Sequence, residues 1–182
     1  MRAAARSLGI AVALLLAACA EMQFRLPLQD IDFELAGRIA LQYGDNAGSG
    51  NIAWRHGARD DELLLSTPLG QGVARIVREG EQVTLTAQDG REYRASDAES
   101  LTERVLGFRL PLVGLADWVR GRAAPAPAAA PTLERRDGEG RLLELEQTGW
   151  RIEYQAYAGD RPTRLRVRYP GLELRLAIST WK

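Results

Sequence analysis

The stretch Phe33-Glu34-Leu35-Ala36-Gly37-Arg38-Ile39-Ala40-Leu41-Gln42-Tyr43 decides the fold. Phe33, Leu35, Gly37, Ile39, Leu41 and Tyr43 share one parity, and Glu34, Arg38 and Gln42 share the other. A period of two belongs to a strand with one buried and one wet face, because successive side chains leave a pleated backbone on opposite sides. Shorter runs of strand character follow at Asn51 to His56, Glu62 to Thr67, Val73 to Arg78, Gln82 to Ala87 and Arg91 to Ala95, with turn signals such as Asp89-Gly90 between them. Strands return at Leu133 to Arg136, Leu142 to Gln147, Trp150 to Tyr157, Arg164 to Tyr169 and Leu172 to Ser179. The last repeats the opening pattern: Leu172, Leu174, Leu176 and Ile178 on one face, Glu173 and Arg175 on the other.

Between the two runs of strands the period changes. Ser96 with Glu99 reads as a capping box, Ala98, Leu101, Val105 and Leu106 fit one helical face, and Gly107 closes it. Pro111 opens a second helix with the apolar stripe Leu112, Leu115, Trp118 and Val119 before Gly121. From Arg122 to Pro131 the composition collapses to Ala and Pro, which predicts a stiff, extended surface linker that supplies spacing and little else. About eleven strands with two helices inserted after the sixth predict a mainly β protein. Its antiparallel sheet would be strongly curved or an incomplete barrel, with the helices covering the concave side and room for an internal cavity.

Composition sets limits on function. At 182 residues the chain suits one domain, and 46% hydrophobic residues can bury a core. Lys+Arg 24 balances Asp+Glu 24, so no basic field exists to attract nucleic acid. One His (His56) and one Cys (Cys19) cannot supply the usual zinc ligand sets, and no metal site is expected. The only Lys is Lys182, at the end of the chain, which excludes a phosphate-binding P-loop. A hydrolase would need His56 as base, Ser49 or Ser66 as nucleophile and Asp60 or Asp61 as orienter. Their spacing matches no such arrangement, Asp60-Asp61-Glu62 reads as a polar turn, and His56 at a strand end reads as a surface residue. No enzymatic activity is expected.

The N-terminus carries an export signal. Arg2 and Arg6 precede the apolar run Leu8 to Ala18, which is too short to span a bilayer and of the right length for a signal-peptide core. It ends Leu16-Ala17-Ala18-Cys19, which resembles the bacterial lipobox, whose Cys is acylated and becomes the mature N-terminus. The expected organisation is a signal peptide over 1–18, a lipidated tether over 19–30 and one incomplete-barrel domain over 31–182. Ala20 and Glu21 follow the Cys without the Asp that resembles an inner-membrane retention signal, which implies residence in the outer membrane.

Several segments together with the lipobox resemble the outer-membrane lipoprotein receptor LolB family. They are Gly37-Arg38-Ile39-Ala40, Leu63 to Gly70, Leu110 to Gly121, Gly149 to Tyr154 and the terminal Trp181-Lys182. The resemblance spans essentially the whole mature chain; a short tether and the Ala/Pro linker depart from the family pattern. It implies a strongly curved antiparallel sheet forming an unclosed barrel with a helical lid over a hydrophobic cavity. It also implies a receptor, lipid-anchored on the periplasmic side of the outer membrane, that accepts acylated lipoprotein cargo from the periplasmic chaperone LolA. The receptor would release that cargo into the membrane's phospholipid without nucleotide hydrolysis. The covalent lipid on Cys19 would be its only attached group, and a monomer is expected.

The resemblance also implies that Leu69, flanked by Pro68 and Gly70, is the tip of a loop that meets the membrane. On its residues alone Leu69 could equally pack beside Leu65. Burial of one Leu contributes about 1.5–3 kcal/mol, whereas an acyl anchor at about 0.8 kcal/mol per methylene contributes on the order of tens, so Leu69 would act locally during release and not as the anchor. Candidates for the acyl-chain cavity are Leu35, Ile39, Trp54, Leu85, Leu115, Trp118, Trp150 and Ile152, which are large, apolar and on inward faces; inward aromatics also make ordinary filled cores. The rival function is a passive lipid-binding or assembly scaffold built on the same sheet, which would not need an exposed apolar loop.

Overall fold

A computed structural model of the protein describes residues 30–182; the signal peptide, Cys19 and nearly all of the tether lie outside the described residues. Eleven strands form one sheet: β1 (Ile31–Tyr43), β2 (Asn46–Gly57), β3 (Asp60–Ser66), β4 (Gly72–Glu79), β5 (Gln82–Ala87), β6 (Glu92–Ala95), β7 (Leu133–Arg136), β8 (Leu142–Gln147), β9 (Trp150–Ala158), β10 (Arg161–Tyr169) and β11 (Leu172–Trp181). Two helices, α1 (Ala98–Leu106) and α2 (Leu112–Val119), separate β6 from β7. The spatial order is β6-β5-β4-β3-β2-β1-β11-β10-β9-β8-β7, with β6 and β7 as free edges, so the barrel is unclosed. The two chain halves are each a meander, joined where β1 pairs with β11.

The opening stretch behaves as its parity requires. Phe33 and Leu35 are fully buried and Ile39, Leu41 and Tyr43 pack against the core, while Arg38 is exposed. A bulge between Ala36 and Gly37 bends β1 against β11. Gly37 sits where a Cβ would lie 2.2 Å from the Ala177 carbonyl oxygen, so only glycine allows the strands this approach. The inward rows meet Leu101 of α1 and Leu112, Leu115 and Trp118 of α2 in a single core.

Two local expectations are corrected. The N-cap of α1 is Asp97, not Ser96: its Oδ1 accepts from the Ser100 backbone N–H at 2.7 Å and its Oδ2 from the Ser100 hydroxyl at 2.8 Å, and these bonds hold the Asp97 carboxyl below the usual carboxylate range. A carboxylate in that position satisfies two donors where the Ser96 hydroxyl would satisfy one.

The Ala/Pro segment is the second correction, because it is docked. Gln147, an inward residue of β8 that is 1% exposed, uses all four positions of its amide. Its oxygen accepts from Trp118 Nε1 at 2.9 Å and from the Ala124 N–H at 2.8 Å; its nitrogen donates to the Ala124 and Ala129 carbonyls, both at 2.8 Å. Alanine and proline leave the backbone accessible, and a buried amide at the right register pairs with it.

Candidate functional site

The turn between β3 and β4 is built to hold its tip away from the protein. The Gly70 N–H bonds to the Thr67 carbonyl at 2.9 Å, closing a turn with Pro68 and Leu69 in its central positions and Gly70 at φ +88°. Thr67 and Gln71 close the base through Thr67 N–H to the Gln71 carbonyl at 2.8 Å, and Asn51 of β2 donates its side-chain N–H to the Thr67 carbonyl at 2.9 Å. Pro68 cannot donate, Gly70 takes a left-handed conformation that L side chains avoid, and Leu69 is left 92% exposed. An aliphatic side chain fixed in water by a hydrogen-bonded turn has no packing role in the fold. The alternative packing beside Leu65 does not occur.

Beneath the helical pair lies a cavity of about 730 Å³. Trp118 of α2 and Trp150 of β9 line it with their ring centroids 5.9 Å apart, and Tyr169 extends the aromatic wall at 4.9 Å from Trp150. Val83 and Leu112 add aliphatic surface, the docked backbone from Ala124 to Ala128 closes one side, and Glu99 and Arg109 stand at the rim, 3.2 Å apart. The space is open to solvent on its polar side, where Arg78, Glu81 and Asp97 also line it, so it is a cleft and not a sealed void. Of the eight cavity candidates, Trp118 and Trp150 line this space. Leu35, Trp54, Leu85, Leu115 and Ile152 are buried in the core around it, and Ile39 is half-buried against that core.

The lid is tied down at the C-terminal end of α2. Tyr154 donates its hydroxyl to the Trp118 carbonyl at 2.9 Å. Asp117, nearly buried, accepts from Arg120 at 3.0 Å and Arg122 at 2.9 Å, and the Arg120 guanidinium lies 5.2 Å above the Phe33 ring. Burial lowers the Arg120 pKa from its ordinary value without discharging it.

A buried charge cluster stands where the sequence predicts a polar turn. Asp60 to Glu62 begins β3, and Asp61 and Glu62 are both 0% exposed. Asp61 accepts from Arg78 Nε at 2.5 Å, His56 Nδ1 at 2.6 Å and Trp54 Nε1 at 2.8 Å. An ionised carboxylate only accepts, so His56 carries its proton on Nδ1. His56 is a buried residue stacked 4.9 Å from Phe33, not a surface one, and among the described residues no serine pairs with it. The signal for Asp61 was its parity with Leu63 and Leu65, as that for Gln147 was its parity with Leu145. Among the described residues no group of three or more His, Cys, Asp or Glu could hold a metal, and no helix is long and apolar enough to cross a membrane.

Comparison with known proteins agrees with this architecture. The family model described as outer membrane lipoprotein LolB matches residues 31–181. A Thiobacillus denitrificans protein named outer-membrane lipoprotein LolB is 42% identical over 158 residues, covering 86% of this chain and 83% of that one. One of the same name from Chromobacterium violaceum is 35% identical over 97% of this chain and 98% of its own. The crystal structure of a DUF1329 family protein from Desulfovibrio piger superposes with a TM-score of 0.50 at 11% identity, covering 96% of this chain and 90% of that one, a likeness of fold alone. Matched from its first strand to its last, the chain belongs to the outer-membrane lipoprotein LolB family.

Proposed function

We propose that this protein is the receptor of a lipoprotein sorting pathway, taking acylated lipoproteins from the periplasmic chaperone LolA and releasing them into the outer membrane. Membership in a family of outer-membrane lipoproteins supports the sorting role, and the protein is not an enzyme. Residues 1–18 act as the signal peptide, Cys19 carries the lipid, residues 19–30 form the tether, and residues 31–182 work as a monomer on the periplasmic side. The observation that carries this reading is Leu69, an aliphatic tip 92% exposed on a turn whose every hydrogen bond keeps it there. A passive scaffold has no use for such a residue.

Transfer then runs on an order of affinities. Cargo moves forward if its acyl chains bind the receptor's apolar interior more tightly than the chaperone's and the bilayer more tightly still. The cavity lined by Trp118 and Trp150 is where a chain enters. The neighbouring Leu35, Ile39, Trp54, Leu85, Leu115 and Ile152 form the interior onto which it extends once the lid yields. Pro68, Leu69 and Gly70 touch the phospholipid at the release step.

The test mixes residues 19–182 carrying Cys19→Ala with the purified chaperone–lipoprotein complex in the absence of ATP, and then adds liposomes. Wild-type and Leu69→Glu should both accept cargo, and only wild-type should pass it to the liposomes. Cargo that stays on the chaperone with both proteins would overturn the receptor reading in favour of a scaffold.

A further inference from the structure

The convex face of the sheet carries a series of arginines, most of them paired with carboxylates. Arg166 and Arg168 of β10 lie against Glu153 of β9, Arg175 of β11 is 2.5 Å from Glu173, and Arg75 of β4 is 2.7 Å from Glu62. Arg38 of β1 and Arg164 of β10 differ. Both are exposed, and among the described residues no ion pair joins either to a carboxylate.

The register brings these two together. Ala177 of β11 is the partner of Arg38 on one side and of Arg164 on the other. Their stems therefore rise from strands two spacings apart, about 10 Å, across a floor that carries only a methyl group. Arg38, Arg164 and Arg175 wall a surface groove of about 340 Å³ in which Ala40, Ser49 and Gly50 keep the bottom low. Two guanidinium forks flanking a floor of small residues suit a tetrahedral oxyanion, since each fork can give a phosphate two parallel hydrogen bonds.

The groove adjoins the Leu69 turn. The same rung of the sheet continues from Arg38 to Asn51 of β2 and Ser66 of β3, where that turn begins. Asn51 holds the Thr67 carbonyl, and Pro68 forms part of the groove wall. An aliphatic tip with unpaired cations at its base has the distribution of an interfacial element, with apolar atoms at acyl depth and cations at the level of the headgroup phosphates. A docked acidic protein would be met by a broader field than one pair of charges beside an apolar tip.

From this placement we infer that Arg38 and Arg164 form a clamp for phospholipid headgroup phosphates, which seats the convex face on the bilayer that Leu69 enters. The inference rests on the receptor reading for Leu69 and adds the site and its ligand chemistry. The clamp orients the barrel; Leu69 perturbs the acyl layer.

The test measures binding of residues 19–182 with Cys19→Ala to phosphatidylethanolamine/phosphatidylglycerol vesicles and to phosphate-free digalactosyldiacylglycerol vesicles at low ionic strength. Arg38→Gln and Arg164→Gln should each weaken binding to the phospholipid about fivefold, and the pair about 25-fold. High salt should erase the difference. Arg94→Gln, on the β6 edge, should change binding less than about twofold, and none of the variants should alter binding to the glycolipid. Phospholipid binding by the double variant equal to wild-type overturns the clamp, as does an equal loss on both lipids. Unchanged vesicle binding with impaired uptake from the chaperone would make the rung a protein-docking site and also overturn it. Wild-type cargo release in the liposome assay separates these failures from failure of the receptor reading itself.

Discussion

Gln147→Leu tests whether the Ala/Pro segment is part of the fold or an appendage. Leucine nearly fills the volume of glutamine, so the change removes hydrogen bonds more than packing. Four polar groups lose their partner: Trp118 Nε1, the Ala124 N–H, and the Ala124 and Ala129 carbonyls. If the segment stays in place, each is left unsatisfied in the interior at about 1–3 kcal/mol. The sum would be a large part of the roughly 5–15 kcal/mol that holds a domain of this size together. The cheaper response is for residues 124–129 to leave the sheet, where water satisfies all but the indole. The expected result is therefore a loss of about 2–4 kcal/mol in urea unfolding, with fast amide exchange at Ala124 and Ala128. Because the backbone from Ala124 to Ala128 walls the cavity, binding of a hydrophobic dye should rise at the same time. A variant within about 0.5 kcal/mol of wild-type, with the Ala124 amide still protected, would refute the reasoning.

The buried carboxylate makes a second test: Asp61→Asn keeps the shape but leaves the Arg78 guanidinium without a counter-charge, and should cost about 3–5 kcal/mol in chemical unfolding. Asp61→Asn with Arg78→Met should recover part of that loss, and a double variant no better than the single would show that the charge pair is not what matters. Two tyrosines set an alkaline limit. Tyr157, whose hydroxyl donates to the Leu142 carbonyl, is pushed up to about 12 chiefly by burial, and Tyr154 is raised further for the same reason. Their folded values exceed the ordinary tyrosine value near 10, so their contribution is complete below that pH and is lost as pH rises through the folded values. Stability measured by urea should fall from pH 10 upward, and Tyr157→Phe should make that fall shallower between pH 10 and about 12. At the acid end, the depressed Asp97 carboxyl stabilises α1 above about pH 4 and ceases to as pH falls through its lower folded value. Asp97→Ala should cost about 1 kcal/mol at neutral pH and nothing once that group is protonated in both states.

What could be read along the chain was whatever repeats along the chain. Runs of strand character located the eleven strands, although β2 begins at Asn46 and not at the expected Asn51, a difference hidden because Ala47 to Gly50 carry no apolar alternation. Parity gave the side of β11 that faces inward, and the apolar stripe of α2 pointed Leu115 and Trp118 into the barrel. The tip at Leu69 was legible as a Pro-Leu-Gly turn, although only the hydrogen bonds of Thr67 and Asn51 explain why it does not fold back. Apart from the N-cap of α1 and the start of β2, the misreadings share one cause. Asp61, His56 and Gln147 are polar residues at inward positions, and composition places such residues outside because burying them alone is costly. The cost vanishes only when partners arrive from other strands: Arg78 from 17 residues away, Ala124 from 23, Trp118 from 29. No window of sequence contains those pairs, yet the parity of each residue was visible. A polar residue on the inward parity of an otherwise apolar strand is therefore better read as a demand for a distant partner than as a break in the strand. By that rule Gln147 asks for four hydrogen bonds, of which Trp118 meets one and the Ala/Pro stretch, whose small side chains leave its backbone accessible, meets three.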